Sequence, residues 1–555
     1  MYDERERGEE REKYRPNNEK TKRERKKKVF LLHLLFHSDH FHSGIIIFVL
    51  INIGLFAERF YLYCCTDAKL GTFELFSWGL PIARGAAQPI KFNSAILLFT
   101  VMRNFLTFLR STSVARILPL DKNIVFHKGF AWAIAFWVAV HGAAHNMNYF
   151  NLSLLDAKQL PFLPQPEDAD ERFSTWWFAW QTVPGATGHL LVIIMAFMYS
   201  SAITSIRRPM FEFFWYTHHL FILYYILLIC HGFPGLLEQP NAYMFVTGPL
   251  LFYLIERGIR VCRGNEDTVL LMAVQHPGDV LELRMKKNTF VYQPGVYLFL
   301  NVPYLSSQEW HPFTITSAPE QEFVSVHIRI VGDWTGALKK LLNPNNELGV
   351  VCEAIATAPD GRPICRIDGP FGTASEEAFT YKTVILVGGG IGVTPFASIL
   401  RSMRYRMERE RATGIATIPI KKAYFYWLSR EAAAFEWFSE LLSAIEDADD
   451  ENKIEIHTYL TGGPKKTDDI KKLMMTEASG ERDVVTGLKS RTSYGRPNWD
   501  VILAKAMQDH KGDKIGIFFC GPAAVSKNLY QVARKLQAQV QPGDTTSLHY
   551  NKENF

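Results

Sequence analysis

Four histidines stand in stretches otherwise made mostly of Phe, Trp, Ile, Leu and Ala: His127 and His141 in one, His218 and His231 in another. Ionisable side chains in so apolar a setting are functional candidates, because keeping them there is costly. His127 and His141 lie 14 residues apart, which on a helix gives about 21 Å of rise and a return to nearly the same face. Neutral imidazoles donating from two facing helices hold haem in a bundle, and such pairs at two depths serve two stacked haems. With two protein ligands the iron keeps no open position and is suited to carrying electrons. His218 and His231, 13 residues apart, have a similar rise but fall roughly 140° apart on an ideal helix, so overwinding or rotated haem planes are needed. The neighbouring His219 is the alternative ligand. A lone membrane histidine as often only hydrogen-bonds across helices; the two matched pairs are what point to metal. Arg59, Arg84 and Arg103 are candidates to meet haem propionates, although arginines that merely snorkel to the interface are commoner.

A second set of residues has the chemistry of a phosphate cradle. Val384 to Phe396 reads as strand, then Gly388-Gly389-Gly390-Ile391-Gly392-Val393-Thr394-Pro395, then helix. Glycines let backbone approach a pyrophosphate, and a helix N-terminus favours the anion. Alone the signal is weak, because the third glycine of GxGxxG falls at Val393 and many such runs are only tight turns. It gains force from His311-Pro312-Phe313-Thr314-Ile315-Thr316-Ser317 upstream and from Cys520-Gly521-Pro522 after a strand near the end.

These residues need elements to position them. The chain has 555 residues, 48% hydrophobic and 21% charged, too long for one ordinary domain and mixed in the environments it expects. Long apolar stretches predict six spanning helices, roughly Gly44 to Tyr63, Asn93 to Leu109, Lys128 to Met147, Ala186 to Ile206, Phe213 to Gly232 and Tyr243 to Val261, each near the 20 residues or so that a bilayer requires. Lys and Arg cluster in the tail, between Arg110 and Lys128, at Arg207 and Arg208, and at Arg257, Arg260 and Arg263. By the positive-inside rule both termini are then cytosolic. The first 28 residues alternate Arg and Lys with Glu and read as a disordered tail. No cleavable leader is evident, so the first apolar run is expected to remain as an anchor in the bilayer. Asn151-Leu152-Ser153 is a candidate glycosylation sequon on the far side. Seven cysteines show neither zinc-type pairing nor a disulfide framework. The net charge of +5 is modest, and no nucleic-acid partner is expected.

After Gly264 short strand-like runs such as Val296 to Leu300 and Val324 to Ile328 suit an antiparallel barrel. From about Tyr381, strands alternate with helical segments as in an α/β sheet. The expected fold is a membrane bundle of six helices followed by an antiparallel β-barrel and an α/β domain. Its divisions fall at 1–43, 44–263, 264–380 and 381–555.

Phe126-His127-Lys128, Tyr216-Thr217-His218-His219, His311 to Pro319, His327 to Thr335, Asp368 to Thr373, Gly388 to Leu400, Gly495 to Trp499, Cys520 to Pro522 and Asn551 to Phe555 together resemble the NADPH oxidases, nearest to the phagocyte type. The resemblance spans about Gly44 to Phe555. It implies a ferric-reductase-like membrane domain joined to a ferredoxin-reductase-like module, with one b-type haem on His127 and His218 and an outer one on His141 and His231. It further implies FAD contacts at His311, Pro312, Phe313, Thr314, His327, Arg329, Trp334 and Thr335, with Thr316 and Ser317 in the same motif. NADPH contacts are implied at Gly390, Thr394, Pro395, Arg430, Arg496, Cys520 and Phe555, with Gly388, Gly392, Gly521 and Pro522 in the same loops. The implied activity moves electrons from cytosolic NADPH through FAD and both haems to oxygen on the far side, releasing superoxide or hydrogen peroxide.

The chemistry of single residues agrees with that carry-over. Thr314 and Arg329 offer a hydroxyl and a cation to the flavin diphosphate, while Arg430 and Arg496 suit the 2'-phosphate of NADPH. His145, one turn beyond His141, is a candidate donor to oxygen or superoxide, Arg59 is grouped with it as catalytic, and Phe555 is a candidate lid on the flavin. The resemblance also implies a small membrane partner and cytosolic activator subunits. The connection from Phe233 to Ala242 is short and lacks Cys and His, and the tail has no calcium-binding loop of the EF-hand pattern. Rival readings are a transmembrane metalloreductase and a proton channel or membrane scaffold.

Overall fold

The computed structural model describes residues 40–66, 76–116, 118–160, 171–233, 239–355, 357, 361–449, 451–462, 482, 483 and 485–553. The basic tail and Phe555 lie outside these residues. The chain divides into two compact units, Met1–Glu256 and Arg257–Phe555.

The first unit is helical: α1 His40–Cys65, α2 Gly79–Phe99, α3 Arg103–Arg110, α4 Asn123–Leu152, α5 Val183–Ala202, α6 Phe211–His218 and α7 Phe221–Cys230, with α8 Ala242–Gly264 running out of it. Large apolar side chains such as Leu50, Trp132, Phe136, Phe197 and Ile226 face outward, the pattern of helices whose surroundings are lipid. Polar groups turn inward instead: Asn93 donates to Asn52 Oδ1 at 2.6 Å, as does Trp137 Nε1 at 3.0 Å. Such bonds and small-residue contacts hold membrane helices together. A Cβ on Gly85 would stand 2.8 Å from the Phe56 ring, so glycine sets how closely α2 approaches α1.

Of the six expected spans, length and apolarity pick out four or five among the described residues. Four helical stretches are long and apolar enough to cross a membrane, and a fifth counts if α2 and α3, bent by 77°, make one span. The expected second helix, Asn93 to Leu109, straddles that bend, and the true one starts at Gly79. Arg84, Gln88 and Lys91 hide its first half from a hydropathy reading, and they are tolerated because α2 is among the most buried of these helices. The expected sixth is a helix, but Glu256, Arg257, Arg260 and Arg263 make its second half charged. Glu256 has a purpose inside: its carboxylate accepts the backbone N–H groups of Asn104 and Phe105 at 3.0 and 3.3 Å. It thereby caps α3, whose first amides have no partner within the helix. Cys64 and Cys65 are bonded to each other.

The second unit begins with the last two turns of α8. Arg260 Nε and Arg263 Nε donate to the two oxygens of buried Asp368 at 2.8 and 2.7 Å, and both guanidinium groups lie over the Phe371 ring. Seven strands follow: β1 Val269–His276, β2 Val280–Lys286, β3 Tyr297–Asn301, β4 His311–Thr314, β5 Val324–Arg329, β6 Gly349–Ile355 and β7 Arg366–Phe371, with α9 Asp333–Leu342 after β5. They form two antiparallel sheets, β5-β2-β1-β6 and β4-β3-β7, packed over a core of Leu281, Leu283, Met285, Leu298, Val326 and Ile328. The expected closed barrel is therefore corrected to two sheets. Ile315 and Val326 form only an isolated bridge, and the chain after β6 bridges to itself, Thr357 to Pro363, without joining the sheet edges.

A six-stranded parallel sheet completes the unit, in the order β11-β10-β9-β8-β12-β13: β8 Thr383–Gly389, β9 Lys422–Ser429, β10 Ile454–Leu460, β11 Ser493–Tyr494, β12 Lys514–Cys520 and β13 Ser547–Lys552. Helices α10 Thr394–Thr413 and α11 Ser439–Ala448 cover one face, α12 Trp499–Asp509 and α13 Ala523–Gln537 the other. The strands read as apolar runs because both faces are covered.

Candidate functional site

In the membrane unit the histidines meet as pairs. The ring centres of His127 and His218 are 6.3 Å apart, and those of His141 and His231 are 6.2 Å apart. A metal bonded to one nitrogen of each ring at about 2 Å fits that separation. The angular offset of the 13-residue gap is reduced by local backbone. His219, Leu220 and Ile222 donate to the carbonyls of Tyr216, Thr217 and His219, three residues back, and such 3₁₀ bonds turn the chain by about 120° per residue where an α-helix turns about 100°. This overwinding carries His231 toward the face of His218. His219 is left out, its Nδ1 2.7 Å from Trp215 O.

The Nδ1 atoms of His127, His141 and His231 lie 2.9, 2.8 and 2.9 Å from Thr100 Oγ1, Ala83 O and Thr187 Oγ1. No sequence signal marks these partners, which come from other helices. A Cβ on Gly188 would stand 3.2 Å from His231 Cε1, so a bare glycine gives this ring its room. The His145 ring stands edge-on to His141 at 4.5 Å and leads on to Tyr149 at 6.1 Å. Arg84 lies over the Tyr63 ring at 5.5 Å, Arg59 is 3.4 Å from Glu58, and Arg103 opens α3 beyond the bend.

The FAD-type motif splits by direction. His311 on β4 packs on the Trp334 ring at 4.2 Å, with Phe313 at 6.1 Å from the same ring; Pro312 lies between them on the strand. Trp334 starts α9, and its Nε1 is buried without a hydrogen-bond partner among the described residues, an orphaned donor that suits a polar ligand. Thr335 Oγ1 accepts the N–H groups of Val331 and Gly332, and Arg329 is exposed at the end of β5. Thr314 is buried at the end of β4. Thr316, Ser317 and His327, by contrast, turn into packing. Thr316 Oγ1 bonds Ser325 Oγ and His327 Nδ1, and Ser317 Oγ bonds Tyr292 and the Ser325 N–H. His327 also lies near Glu282, and burial holds it neutral, its pKa down at about 3. Glu282, His276 and His327 have the spacing of metal ligands, but Arg284 already binds both oxygens of Glu282 at 2.8 and 3.2 Å, so this carboxylate has its cation.

The glycine loop lies at the carboxyl end of the parallel sheet, where such folds bind ligands. A Cβ on Gly392 would stand 2.4 Å from Cys520 O, and one on Gly389 2.7 Å from Pro522 Cδ. The loop is thus packed on the Cys520-Gly521-Pro522 turn. Gly390 has φ +58° and Gly521 φ +154°. Gly388 must also be bare, because a Cβ there would meet Val393 Cα at 2.8 Å. The close packing that a third glycine normally permits is supplied by Gly392, so Val393 is free to be an apolar core residue. Thr394 and Pro395 open α10. Burial pushes the Cys520 thiol up, so it is a neutral group. Arg430 follows β9 and Arg496 follows β11, both exposed. Glu553, missed in the sequence, accepts the Ser375 N–H at 2.7 Å and anchors the strand leading to the chain end.

Membrane helices with paired histidines, continued in one chain by a two-sheet domain and a parallel α/β domain, define the class of membrane-bound reductases. Residues 92–229 match the family model for the ferric reductase like transmembrane component, 267–375 that for an FAD-binding domain, and 381–534 that for the ferric reductase NAD binding domain. A superoxide-generating NADPH oxidase heavy chain of Dictyostelium discoideum is 46% identical over 92% of this chain and 96% of its own length. A second superoxide-generating heavy chain of that organism is 38% identical (93% and 74%), and human NADPH oxidase 3 is 34% identical (91% and 96%). The chain belongs to the NADPH oxidase family.

Proposed function

We propose that this membrane protein moves electrons from NADPH through FAD and two b-type haems to molecular oxygen, producing superoxide. The observation that carries the reading is the pair of imidazole couples at 6.3 and 6.2 Å, in a chain that also holds the His311 strand and the glycine loop. His127 and His218 would hold the inner haem, and His141 and His231 the outer. Trp334, Thr314, Arg329, His311 and the start of α9 would hold FAD, with Pro312, Phe313 and Thr335 shaping the site and Thr316, Ser317 and His327 supporting it from beneath. Gly388, Gly390, Gly392, Thr394, Pro395 and Cys520 to Pro522 would receive the NADPH backbone, and Arg430 and Arg496 its 2'-phosphate. A bound flavin accepts two electrons as hydride and releases them singly, which a two-electron donor and one-electron haems require.

His145, next to His141, would donate toward the oxygen side, Arg59 would share that catalytic role, Arg84 and Arg103 would meet propionates, and Phe555 would cover the flavin. The domain divisions at 43/44, 263/264 and 380/381 and cytosolic placement of both termini belong to the same reading, supported by the distribution of Lys and Arg. A small membrane partner and cytosolic activators complete it.

The test is to purify the protein in detergent and measure haem, flavin and NADPH-dependent products together. Two haems and one flavin per chain, with acceptor reduction abolished by superoxide dismutase, are expected. Absence of haem bands overturns the reading, and dismutase-insensitive reduction of a ferric chelate in its place assigns a metalloreductase.

A further inference from the structure

The four histidines are not held alike. Thr100 Oγ1 donates to Leu97 O at 2.6 Å. A hydroxyl has one proton, so toward His127 Nδ1, 2.9 Å away, Thr100 can only accept. Thr187 repeats the device, donating to Val183 O at 2.6 Å while facing His231 Nδ1 at 2.9 Å. His141 Nδ1 faces the carbonyl of Ala83 at 2.8 Å, which has no proton to give. Each of these three rings therefore carries its proton on Nδ1 and presents a bare Nε2 lone pair. His218 differs: its Nδ1 is buried with no partner among the described residues. Thr217 donates to Phe213 O at 2.7 Å, with Phe214 O, one turn before His218, 3.2 Å from the same hydroxyl, whereas His219 Nδ1 has the corresponding carbonyl, Trp215 O, to itself at 2.7 Å.

We propose that Thr100 and Thr187 are positioning residues, each fixing the tautomer of one iron ligand and setting the reduction potential of one of the two haem sites. The inference rests on the two-haem reading above. An Nδ1–H that donates to an oxygen makes its ring a more basic ligand, and a more basic ligand favours the ferric over the ferrous state. The outer pair has two such bonds, through Ala83 and Thr187, and the inner pair one, through Thr100. By this effect the residues around the outer site make it the harder of the two to reduce. The chain then supplies no downhill step from ligand basicity, and outward transfer depends on removal of electrons by the final acceptor.

The variants are Thr100→Val and Thr187→Val, which keep shape and remove the acceptor, and the matching Thr→Ser pair, which keeps it. Each is purified as the full chain, its haem content is measured, and its haem absorbance is followed in a potentiometric titration. The expected result is two haems in every variant, an upward shift of one component in Thr187→Val, an upward shift of the other in Thr100→Val, and Ser variants close to the parent. Loss of a single haem from a Val variant while its Ser partner keeps both also supports a positioning role. Titrations unchanged from the parent, or both components moving together in either Val variant, overturn the proposal. Haem loss in both Val and Ser variants overturns it too, because that marks a packing role. A parent without haem instead refutes the two-haem reading, so the two failures are distinguishable.

Discussion

At the scale of the residue, the four histidines were legible as candidates from their type and apolar setting, and which ring faces which only from the family resemblance, whereas their hydrogen-bond partners were not legible at all. Thr100, Ala83 and Thr187 reach the rings from helices 27, 58 and 44 residues away in sequence, and nothing local distinguishes them from any Thr or Ala in an apolar run. His141→Ala or His231→Ala is expected to remove the outer haem and leave the inner. Pyridine haemochrome analysis should then fall from two haems to one, with flavin reduction by NADPH retained and oxygen reduction lost. Retention of both haems in His231→Ala would assign a different ligand. The arginines give a second expectation. Arg430→Ala and Arg496→Ala should raise the Michaelis constant for NADPH about tenfold or more and that for NADH much less, since a charge-assisted bond to phosphate is worth about 1.5–3 kcal/mol. Equal weakening of both cofactors would place these arginines on the shared part of the nucleotide.

At the scale of the element, hydropathy located most of the apolar helices but misjudged the ones that bend or carry charge. Arg84, Gln88 and Lys91 in α2, like Glu256 in α8, are polar residues whose place inside the unit only the tertiary structure reveals. The break at His219 and Leu220 answers a geometric need that the 13-residue spacing states, yet Tyr216 to Ile222 carries no Gly or Pro to announce it. The sheets were legible as strands but not in their closure, because pairing across distant edges leaves no local pattern. The glycine loop shows how contact overrides a motif. Gly392→Ala must displace the backbone of Cys520 and should raise the NADPH Michaelis constant at least tenfold while FAD content stays at the parent level. Gly390→Ala has open space around it and meets only the strain of positive φ, about 1–2 kcal/mol, so its effect should be the smaller. Similar kinetics in the two variants would mean that the packing on Cys520 is not what shapes the loop.

At the scale of the whole molecule, the chain divides into its two compact units within α8, between Glu256 and Arg257. The reason is chemical: Glu256 caps α3, whereas Arg260 and Arg263 share the carboxylate of Asp368. Asp368→Ala would leave two arginines facing one another in a largely buried setting, a loss of about 3 kcal/mol or more. Flavin release on heating should then begin several degrees lower, with Asp368→Asn intermediate. An unchanged release temperature in Asp368→Ala would show that the cation–π contacts with Phe371 alone hold these turns. The shared carboxylate also bears on recombination between relatives. A hybrid joined after Gly264 would take its arginines from one parent and Asp368, Phe371 and their surroundings from the other, whereas a splice between Glu256 and Arg257, kept in helical register, inherits each network intact.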